Sequence, residues 1–358
     1  MNIKEKINLV KEVGEEVIKE EELKEVFSKK EKPIAYDGFE PSGRIHIAQG
    51  ILRTINVNKL TKAGVHFKFY VADWFAMLNN KMGGDLEKIK TVGKYFVEVW
   101  KACGMDLENV EFIWASEFIN KNPSYWETVL NISKNSTINR VMRCGQIMGR
   151  KESTSNPSSQ IIYPLMQAAD IFHLDVDIAQ LGMDQRKVNM LAREVAEDLG
   201  YKKPVAVHHH MLMGLTKPKT DKESIDSSIE NKMSKSNPDS AIFMTDSKED
   251  VNRKIKDAYC PNGQINNNPI FEYLKYIVFE KFDEFIIKRP EKYGGNITYK
   301  NYDDICEDFL NGDLHPLDLK KSLANYINKL LMPVREHFSE NKKAKELLEK
   351  VNSYKVTR

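Results

Sequence analysis

Two stretches of the sequence carry residue types that suit a nucleotide, and the first is a glycine-rich turn. A β-prone run at residues 34–36 leads into Gly38, Pro41 and Gly43, and a helical pattern opens near Ala48. Backbone N–H groups at the start of a helix are unpaired and carry a partial positive charge, so such a turn can bind a phosphate. By itself, the turn is equally typical of an ordinary strand-to-helix connection.

The second stretch is the basic loop Lys232-Met-Ser-Lys-Ser236, nearly two hundred residues further along the chain. Lys232 and Lys235 stand among serines in a polar segment, where a mobile loop could close over a pyrophosphate as negative charge shifts onto it. A solvated basic loop would show the same composition. The pairing of this loop with the glycine-rich turn favours a nucleotide site over both ordinary alternatives.

A polar helix face is the third candidate. Tyr163, Gln167 and Asp170 stand at i, i+4 and i+7, which places them on one face of a helix that we expect Pro164 to open. Apolar residues cover the rest of that helix, so we expect the polar face to be buried. An unpaired carboxylate or amide there would cost about 1 to 3 kcal/mol, which favours either a polar ligand or a structural hydrogen-bond network.

These motifs resemble those of one enzyme family. Residues 41–49 are similar to the HIGH region, and residues 232–236 match the KMSKS loop, of class I aminoacyl-tRNA synthetases. Residues 163–170, 182–186 and 315–318 resemble tyrosyl-tRNA synthetases of the eukaryotic and archaeal type, and the similarity covers nearly the whole chain. The resemblance implies a tyrosine–tRNA ligase, which makes tyrosyl-adenylate from L-tyrosine and ATP and transfers tyrosine to the 3′ end of tRNA(Tyr).

Two alternatives to that activity stay open at the level of sequence. A tryptophan–tRNA ligase of the same class is the nearer one, because an indole N–H could also reach Asp170. A nucleotide- and RNA-binding homologue without ligase activity is the more distant one. The formal net charge of +2 does not separate them, and it indicates that any RNA contact is local rather than made by a strongly basic surface.

The HIGH tetrapeptide departs from the family pattern. It reads His46-Ile-Ala-Gln49, so the first histidine is present, while Ala48 stands where a glycine gives the adenine room and Gln49 replaces the second histidine. Alanine is still a small residue. Gln49 can donate an amide hydrogen bond but carries no positive charge, which weakens its expected part in binding the transition state.

The resemblance also implies roles for single residues. Tyr163, Gln167 and Gln185 are expected to hold the ammonium and carboxylate groups of tyrosine, while Tyr36 and Asp170 meet its phenol hydroxyl. The residues expected to act catalytically are His46, Lys232 and Lys235. The residues expected to contact ATP are Gly38, Ser42, His46, Ala48, Gly182, Asp184, Met211, Leu212 and Lys235.

ATP is expected as a substrate together with Mg²⁺, and no tightly bound cofactor is expected. Asp184 is similar to the family's ribose-binding acid, and backbone groups of Met211 and Leu212 are expected to flank the adenine. The run of three histidines at residues 208–210 does not predict a metal site. Successive strand residues point to opposite faces, so these three side chains cannot converge on one ion.

Two residues in the C-terminal part are similar to family positions that read the anticodon. Tyr293 and Asp318 match positions where relatives stack on, and hydrogen-bond to, the first anticodon base, which is how proteins read unpaired RNA. Both residues also have structural alternatives. Tyr293 could be packing, and Asp318 could be capping the helix that it begins.

The elements that must position these residues alternate between strands and helices. Residues 3–30 predict amphipathic helix, and crossover helices are predicted at residues 51–63, 86–103 and 188–199. The β-prone runs lie at residues 34–36, 67–72, 110–115, 176–179 and 205–209. This alternation is typical of an α/β fold, a doubly wound, Rossmann-like parallel sheet that binds ligands at the carboxyl ends of its strands.

Two domains are expected for 358 residues. Residues 1–240 are expected to form the catalytic domain, with a connecting insertion at about 118–160, and residues 241–358 a mostly helical anticodon-binding domain in which Pro333 should kink or end a helix. The resemblance implies that the insertion carries a homodimer interface, while its pattern alone fits an ordinary helical insertion equally well. No function is assigned to the polar run 151–160. Helices of the second domain are predicted at residues 251–259, 271–282, 302–310 and 317–337.

The composition fits a folded protein of the cytoplasm. Apolar residues make up 41% and charged residues 30%, and no apolar run approaches the roughly 20 residues that a membrane span needs. The first residues lack the apolar core of a secretion signal. The four cysteines form no CxxC pair, so the sequence predicts neither a zinc site nor a disulfide framework.

Overall fold

A six-stranded sheet lies at the centre of the chain in the computed structural model, which describes residues 1–145, 157–219, 231–233 and 237–354. The strand order is β1-β6-β5-β2-β3-β4, and every neighbouring pair is parallel except β1 with β6. The predicted parallel sheet is therefore confirmed, with a topological switch point between β2 and β5. The strands are β1 (Glu16–Ile18), β2 (Ile34–Phe39), β3 (His66–Val71), β4 (Val110–Trp114), β5 (Ile178–Gly182) and β6 (Val205–His209).

Helices cover both faces of the sheet because its strands send apolar side chains to two separate cores. Ala35, Phe67 and Phe69 belong to one buried cluster, whereas Tyr36 and Tyr70, which follow on the same strands, belong to the other. The helices up to the last strand of this sheet are α1 (Ile3–Val13), α2 (Glu20–Lys29), α3 (Arg53–Lys62), α4 (Asp73–Leu78), α5 (Leu86–Ala102), α6 (Ala115–Asn120), α7 (Tyr125–Lys134), α8 (Ile138–Met142), α9 (Ser159–His173) and α10 (Arg186–Val195).

The N-terminal segment differs from its prediction. Residues 3–30 are not continuous helix, because β1 separates α1 from α2 and pairs antiparallel with β6 at the edge of the sheet. Gly14 ends α1 in an extended conformation, and its N–H donates to the Val10 carbonyl at 3.0 Å. A Cβ at residue 14 would lie 2.9 Å from Val207 Cγ1 of β6, so glycine lets the chain pass close to the sheet here.

Two predicted boundaries around the polar helix face are also corrected. Helix α9 begins at Ser159, so Pro164 stands inside it rather than opening it, and the missing N–H leaves the helix one hydrogen bond short. Strand β5 begins at residue 178 rather than 176, because Asp175 has a positive φ of 52° in the connection that precedes the strand. In the polar run 151–160, residues 151–156 lie outside the described part of the chain, and the last two residues belong to α9.

The insertion between β4 and α9 contains the predicted helices. Its apolar residues divide into two sets. Val129, Ile132 and Val141 are buried, whereas Trp126 and Leu130 keep 44% and 68% of their surface exposed. A short apolar stripe of helix α7 therefore faces away from the core.

The C-terminal part is mostly helical, as predicted, with one two-stranded hairpin. Pro333 lies inside α15, so that helix does not end there, and α16 follows it without having been predicted. A π-helical turn at Leu274–Val278 joins α12 to α13. The elements are α11 (Lys248–Asp257), α12 (Pro269–Tyr273), α13 (Phe279–Lys281), β7 (Phe285–Ile287), β8 (Ile297–Tyr299), α14 (Tyr302–Asn311), α15 (Pro316–Glu340) and α16 (Lys342–Ser353).

The C-terminal helices pack directly on the α/β part. Phe338 of α15 contacts Tyr95 of α5 with ring centroids 5.4 Å apart, and His337 Nε2 lies 2.8 Å from Glu98 Oε2. One hydrophobic cluster runs through both parts. The division at residues 240 and 241 therefore stays a prediction. Among the described residues, no helix is long and apolar enough to cross a membrane.

Candidate active site

The candidate site lies where three adjacent parallel strands end. Strands β6, β5 and β2 are neighbours, and their carboxyl ends are followed by the segment after His209, the turn Met183–Gln185 and the glycine-rich turn. Gly182 of β5 pairs with His209 of β6, so the turn Met183–Gln185 and the segment after His209 start side by side. Ligands bind at such a crevice in doubly wound folds.

The glycine-rich turn is held by residues that follow the KMSKS region in sequence. His46 forms an isolated bridge with Phe243, and the Ile47 N–H donates to the Ile242 carbonyl at 2.8 Å. A π-helical turn at Ala48–Leu52 then leads into α3, which confirms that a helix opens near Ala48. Ser42, His46, Ala48 and Gln49 are all half-buried at this end of the sheet.

The polar face of α9 is buried and faces the same end of the sheet. Tyr163 Oη donates to Glu40 Oε1 at 2.7 Å, and Gln167 Nε2 donates to Gln185 Oε1 at 3.0 Å. Asp170 is 1% exposed. The predicted tyrosine-binding residues on α9 and after β5 are therefore close together, and a structural hydrogen-bond network is present among them in this state.

Asp170 accepts two phenol hydrogen bonds through the same oxygen. Tyr70 Oη lies 2.9 Å and Tyr125 Oη 2.8 Å from Asp170 Oδ1. Burial raises the pKa of Asp170 well above its usual value, and the two phenol donors act to lower it. Tyr36 is also 1% exposed, and its ring packs edge-on against Tyr70 at 6.0 Å. Burial raises the pKa of Tyr36, so its phenol stays neutral.

Three residues of this pocket were not singled out from the sequence. Glu40 lies just after β2, where it also accepts from Asn79 Nδ2 at 3.0 Å, and Tyr70 and Tyr125 come from β3 and α7. Tyr70 and Tyr125 look like ordinary aromatic residues of a strand and a helix. Glu40 would have been easier to find from the sequence than the two tyrosines, because a carboxylate is unusual inside a glycine-rich motif that is expected to bind phosphates.

A buried ion pair beneath the glycine-rich turn was missed as well. Arg53 Nε lies 2.8 Å from Asp37 Oδ2, and both side chains are almost fully buried. Arg53 also donates to the Gln180 side chain, whose Nε2 lies 2.9 Å from His209 Nδ1. Burial raises the pKa of Asp37 to about 7, although the Arg53 guanidinium acts to lower it. This network joins β2, α3, β5 and β6 under the site.

Lys232 reaches the site from the KMSKS region. Its Nζ lies 2.9 Å from Asp184 Oδ2, and the charge of Asp184 is the largest cause that raises the pKa of Lys232, so the lysine stays protonated. Lys232 also forms an isolated bridge with Met213. Lys235 lies outside the described residues.

Gly182, Asp184 and Met211 converge at the nucleotide end. A Cβ at residue 182 would lie 2.7 Å from Met211 Sδ and 2.8 Å from Asp184 Oδ1. Leu212 is buried beside them. The residues predicted to contact ribose and adenine are thus neighbours in space, and only a glycine fits at position 182 without displacing them.

The three consecutive histidines have separate partners. His208 Nδ1 lies 2.8 Å from Glu16 Oε2, and His210 lies 3.2 Å from Glu15 and 3.1 Å from Glu272. His209 belongs to the buried network described above. Within the described ranges, no group of three His, Cys, Asp or Glu side chains could hold a metal ion.

The two predicted anticodon residues lie at one end of the helical part. Tyr293 is 60% exposed in the turn Glu291–Tyr293, and Arg289 donates to the carbonyls of Gly295 and Asp313, which ties this turn to the loop before α15. Asp318 is in the first turn of α15, but the N-cap is His315, whose Nδ1 accepts from the Leu317 N–H at 3.1 Å. Capping of α15 by Asp318 is therefore ruled out.

Comparisons with known proteins show the family to which the chain belongs. The family model of class I tRNA synthetases for tryptophan and tyrosine, "tRNA synthetases class I (W and Y)", matches residues 28–332. The chain therefore belongs to the class I aminoacyl-tRNA synthetases. Within that class, its relatives are tyrosine enzymes, so it is a member of the tyrosyl-tRNA synthetases and not of the tryptophanyl alternative.

Three relatives illustrate the match. The chain is 54% identical to the cytoplasmic tyrosine–tRNA ligase 1 of Arabidopsis thaliana over 99% of its own length and 90% of the relative's. It is 43% identical to the tyrosine–tRNA ligase of Pyrococcus abyssi over the full length of both. The crystal structure of the Pyrococcus horikoshii tyrosyl-tRNA synthetase with L-tyrosine is 40% identical, has a TM-score of 0.91, and is matched over 98% of this chain and 100% of that one.

Proposed function

We propose that the protein activates L-tyrosine with ATP to form tyrosyl-adenylate and then transfers tyrosine to the 3′ end of tRNA(Tyr). One observation carries this proposal. The buried polar face of α9, which bears Tyr163, Gln167 and Asp170, opens at the same strand ends as the glycine-rich turn and the Lys232–Asp184 pair. The residues proposed to bind the amino acid and those proposed to bind the nucleotide are thus adjacent, since Gln167 of α9 contacts Gln185 next to Asp184, and in-line transfer between the bound ligands requires this.

The tyrosine would lie along α9. Its ammonium and carboxylate groups would replace the hydrogen bond between Gln167 and Gln185 and face Tyr163. Its phenol would lie between Tyr36 and Asp170, both of which are buried. Glu40, which holds the Tyr163 hydroxyl, adds negative charge near the expected position of the ammonium group.

The nucleotide would bind across the ends of β2, β5 and β6. Its phosphates and adenine would contact the first turn at Gly38, Ser42, His46 and Ala48. The ribose and the other side of the adenine would contact Gly182, Asp184, Met211 and Leu212. The ribose must compete with Lys232 for Asp184, so we expect ATP binding to release this lysine toward the phosphates, where Lys235 would join it.

Mg²⁺ enters this proposal as part of the substrate. We assign the ion to the phosphates of ATP, because Mg²⁺ is usually held by substrate phosphates with one or two carboxylates rather than by a cage of protein ligands. When bound, it would neutralise phosphate charge. The protein's own residues position the two substrates and stabilise the charge that moves onto pyrophosphate.

The reaction needs no nucleophile from the protein. The tyrosine carboxylate would attack the α-phosphate in line, so the rate depends on positioning and on charge stabilisation. Lys232, Lys235 and His46 are the proposed contributors of charge and hydrogen bonds. The Gln49 side chain can contribute only an amide hydrogen bond at the position of the second family histidine. The backbone carbonyl of Gln49 accepts from Trp100 Nε1 at 2.8 Å, which fixes the main chain there.

A homodimer, tRNA binding and a cytoplasmic location complete the proposal. The exposed stripe of Trp126 and Leu130 on α7 supports a dimer interface in the insertion, because large apolar side chains that are exposed together mark contact sites. The exposed ring of Tyr293 supports anticodon stacking together with Asp318. The relative from Arabidopsis thaliana that is named cytoplasmic supports the location.

Pyrophosphate exchange with each of the twenty amino acids supplied singly tests the proposal. Exchange should depend on tyrosine and be negligible with tryptophan and phenylalanine. Exchange that depends on tryptophan, or no exchange with any amino acid, would contradict the proposed activity. Aminoacylation of tRNA(Tyr) with labelled tyrosine then tests the second step.

A further inference from the structure

The hydrogen bonds of Asp170 are distributed unequally between its two oxygens. Oδ1 accepts from Tyr70 Oη at 2.9 Å and from Tyr125 Oη at 2.8 Å. The hydrogen bonds of the described residues give no donor to Oδ2. A buried carboxylate has about four acceptor positions, and leaving one oxygen unpaired is costly, so Oδ2 is the atom that a ligand hydroxyl would satisfy.

The two phenols come from elements that are distant in the sequence and are firmly held. Tyr70 lies on β3, where its ring packs against Phe75 at 6.2 Å and Phe118 at 6.1 Å. Tyr125 begins helix α7 and is fully buried, and its hydroxyl is also 2.9 Å from the Met166 carbonyl of α9. The single hydroxyl hydrogen of Tyr125 is therefore shared between the Met166 carbonyl and Asp170 Oδ1, and the two phenols hold Oδ1 from two different elements.

We propose that Tyr70 and Tyr125 are positioning residues for amino-acid selection, because they hold Asp170 through Oδ1 and direct Oδ2 toward the hydroxyl of the substrate tyrosine. This inference rests on the proposed role of Asp170 as the reader of that hydroxyl. Neither Tyr70 nor Tyr125 needs to touch the substrate. Their effect is to hold the buried carboxyl group in one orientation and to favour its ionised form.

Ionisation matters because it sets the penalty for phenylalanine. A buried carboxylate left without its substrate donor costs more than a neutral acid in the same place, so an ionised Asp170 rejects phenylalanine more strongly. Burial raises the pKa of Asp170, and the two phenol donors act to lower it. Without those donors the acid would take up a proton more readily, and the penalty for phenylalanine would shrink.

The titratable groups nearest Asp170 are phenols, with His173 of α9 against Tyr125 at 5.3 Å and Glu40 beyond Tyr163. The phenols are Tyr36 of β2, Tyr70 of β3, Tyr125 of α7 and Tyr163 of α9 itself. Burial raises the pKa of each of the four phenols well above its usual value, so they stay neutral between about pH 6 and pH 9. A change of specificity with pH in that range therefore does not come from the phenols.

The test compares Tyr70→Phe, Tyr125→Phe and the double variant with the unchanged protein in pyrophosphate exchange. The ratio of kcat/KM for tyrosine to kcat/KM for phenylalanine should fall about tenfold in each single variant and further in the double variant. In the double variant the ratio should depend more strongly on pH than in the unchanged protein, because without the two donors the Asp170 carboxyl takes up a proton more readily.

Tyr201→Phe is the matched control. Its hydroxyl lies 3.0 Å from Thr128 Oγ1, and its ring stacks on Phe172 at 4.5 Å, so it removes a phenol from the same cluster without touching Asp170. This variant should keep the full ratio at every pH. A uniform loss of activity with both amino acids in the Tyr70 and Tyr125 variants, with an unchanged ratio, would indicate a merely structural role and overturn the inference.

Asp170→Ala separates this inference from the proposed function. If the Ala variant keeps its full preference for tyrosine, Asp170 is not the reader and the inference fails, while the proposed activation of tyrosine stands. If the Ala variant loses the preference while the Tyr70 and Tyr125 variants keep it at every pH, Asp170 reads the hydroxyl without their help. Only the present inference is then wrong. Thermal unfolding of every variant identifies those that do not fold.

Discussion

Gly182 shows how little space separates the nucleotide residues at the end of β5. Its φ of −66° is open to any residue, so the requirement for glycine is one of space and not of backbone conformation. A methyl group there would contact Met211 Sδ and Asp184 Oδ1 at less than 3 Å. Both atoms can move, but moving Asp184 displaces the proposed ligand of the ribose.

We therefore expect Gly182→Ala to raise the KM for ATP about ten- to hundredfold, since a hydrogen bond to a charged group contributes about 1.5 to 3 kcal/mol. The KM for tyrosine should change little, because Tyr163, Gln167 and Asp170 lie on another element. Steady-state exchange kinetics with each substrate varied in turn measure both values. Equal changes in the two would show that the substitution disturbs the whole site rather than the nucleotide end.

At the residue scale, the sequence predicted those positions that belong to a motif. Tyr163, Gln167 and Asp170 could be grouped because helical spacing brings them to one face, and the structure keeps them there. Tyr70 and Tyr125 could not be found in that way. They reach Asp170 across 100 and 45 residues of chain, and nothing local distinguishes a phenol that meets a carboxylate from one that only packs.

Helix α7 connects the tyrosine pocket to the protein surface. Its first residue, Tyr125, donates to Asp170, and Thr128 one turn later is also buried. Trp126 and Leu130 project from the opposite face. If this face is the dimer interface, subunit association holds in place the same helix that holds the reader of the substrate hydroxyl.

Leu130→Lys tests the interface. Moving a charged ammonium group into an apolar contact costs several kcal/mol, so the dimer should dissociate at concentrations at least about a hundredfold higher than for the unchanged protein. Sedimentation velocity over a range of concentrations would measure this. Asn131→Lys adds the same charge at the next exposed position of the helix and should have a smaller effect. A Leu130→Lys protein that remains dimeric would place the interface elsewhere.

At the element scale, the predicted strands β2 to β6 were largely right, whereas the edge strand β1 was not predicted. Strands β5 and β6 are buried almost throughout, β2 and β3 are buried at half or more of their positions, and the edge strand β4 is buried only at its first residue. Short apolar, β-branched stretches such as these are the strongest local signal for a parallel sheet. Strand β1 is only three residues long, between two amphipathic helices. Its pairing with β6 depends on the close approach at Gly14, which periodicity in the sequence does not record.

His210 links three parts of the whole molecule. It follows β6, and its ring nitrogens lie 3.2 Å from Glu15 before β1 and 3.1 Å from Glu272 in α12. Its ring also stacks on Tyr276 at 4.2 Å. Burial acts to lower the pKa of His210, but the hydrogen bonds and charges of Glu15 and Glu272 outweigh it and raise the pKa to about 9.

A histidine pKa that is higher in the folded state stabilises the fold at low pH and loses that effect as pH rises. For His210 the contribution should be complete below about pH 6.5 and fade between pH 6.5 and 9, with a total of about 3 kcal/mol at most. The difference in unfolding free energy between the unchanged protein and His210→Gln should shrink over that range. Urea unfolding at several pH values measures it, and a difference independent of pH would contradict the charged bridge.

The functions of the two ends of the molecule should be separable by experiment. The proposed anticodon residues belong to the helical part, whereas the proposed adenylate site belongs to the sheet. The change to a mostly helical part after residue 240 was predictable from the change of periodicity, whereas the domain boundary itself stays a prediction. The extent of contact between the two parts was not predictable, since Tyr95 with Phe338 and Glu98 with His337 pair residues about 240 positions apart. Such contacts follow from the packing of whole helices.

The final prediction therefore separates the two reactions. Asp318→Ala and Tyr293→Ala should each slow aminoacylation of tRNA(Tyr) about ten- to hundredfold, because a lost base stack or base hydrogen bond is worth about 1 to 3 kcal/mol. Pyrophosphate exchange should stay intact, since tyrosine and ATP bind at the strand ends. Asp303→Ala removes a comparable acid from the first turn of α14 and controls for the lost helix-dipole interaction. If exchange fell together with aminoacylation, the two residues would be supporting the fold rather than reading RNA.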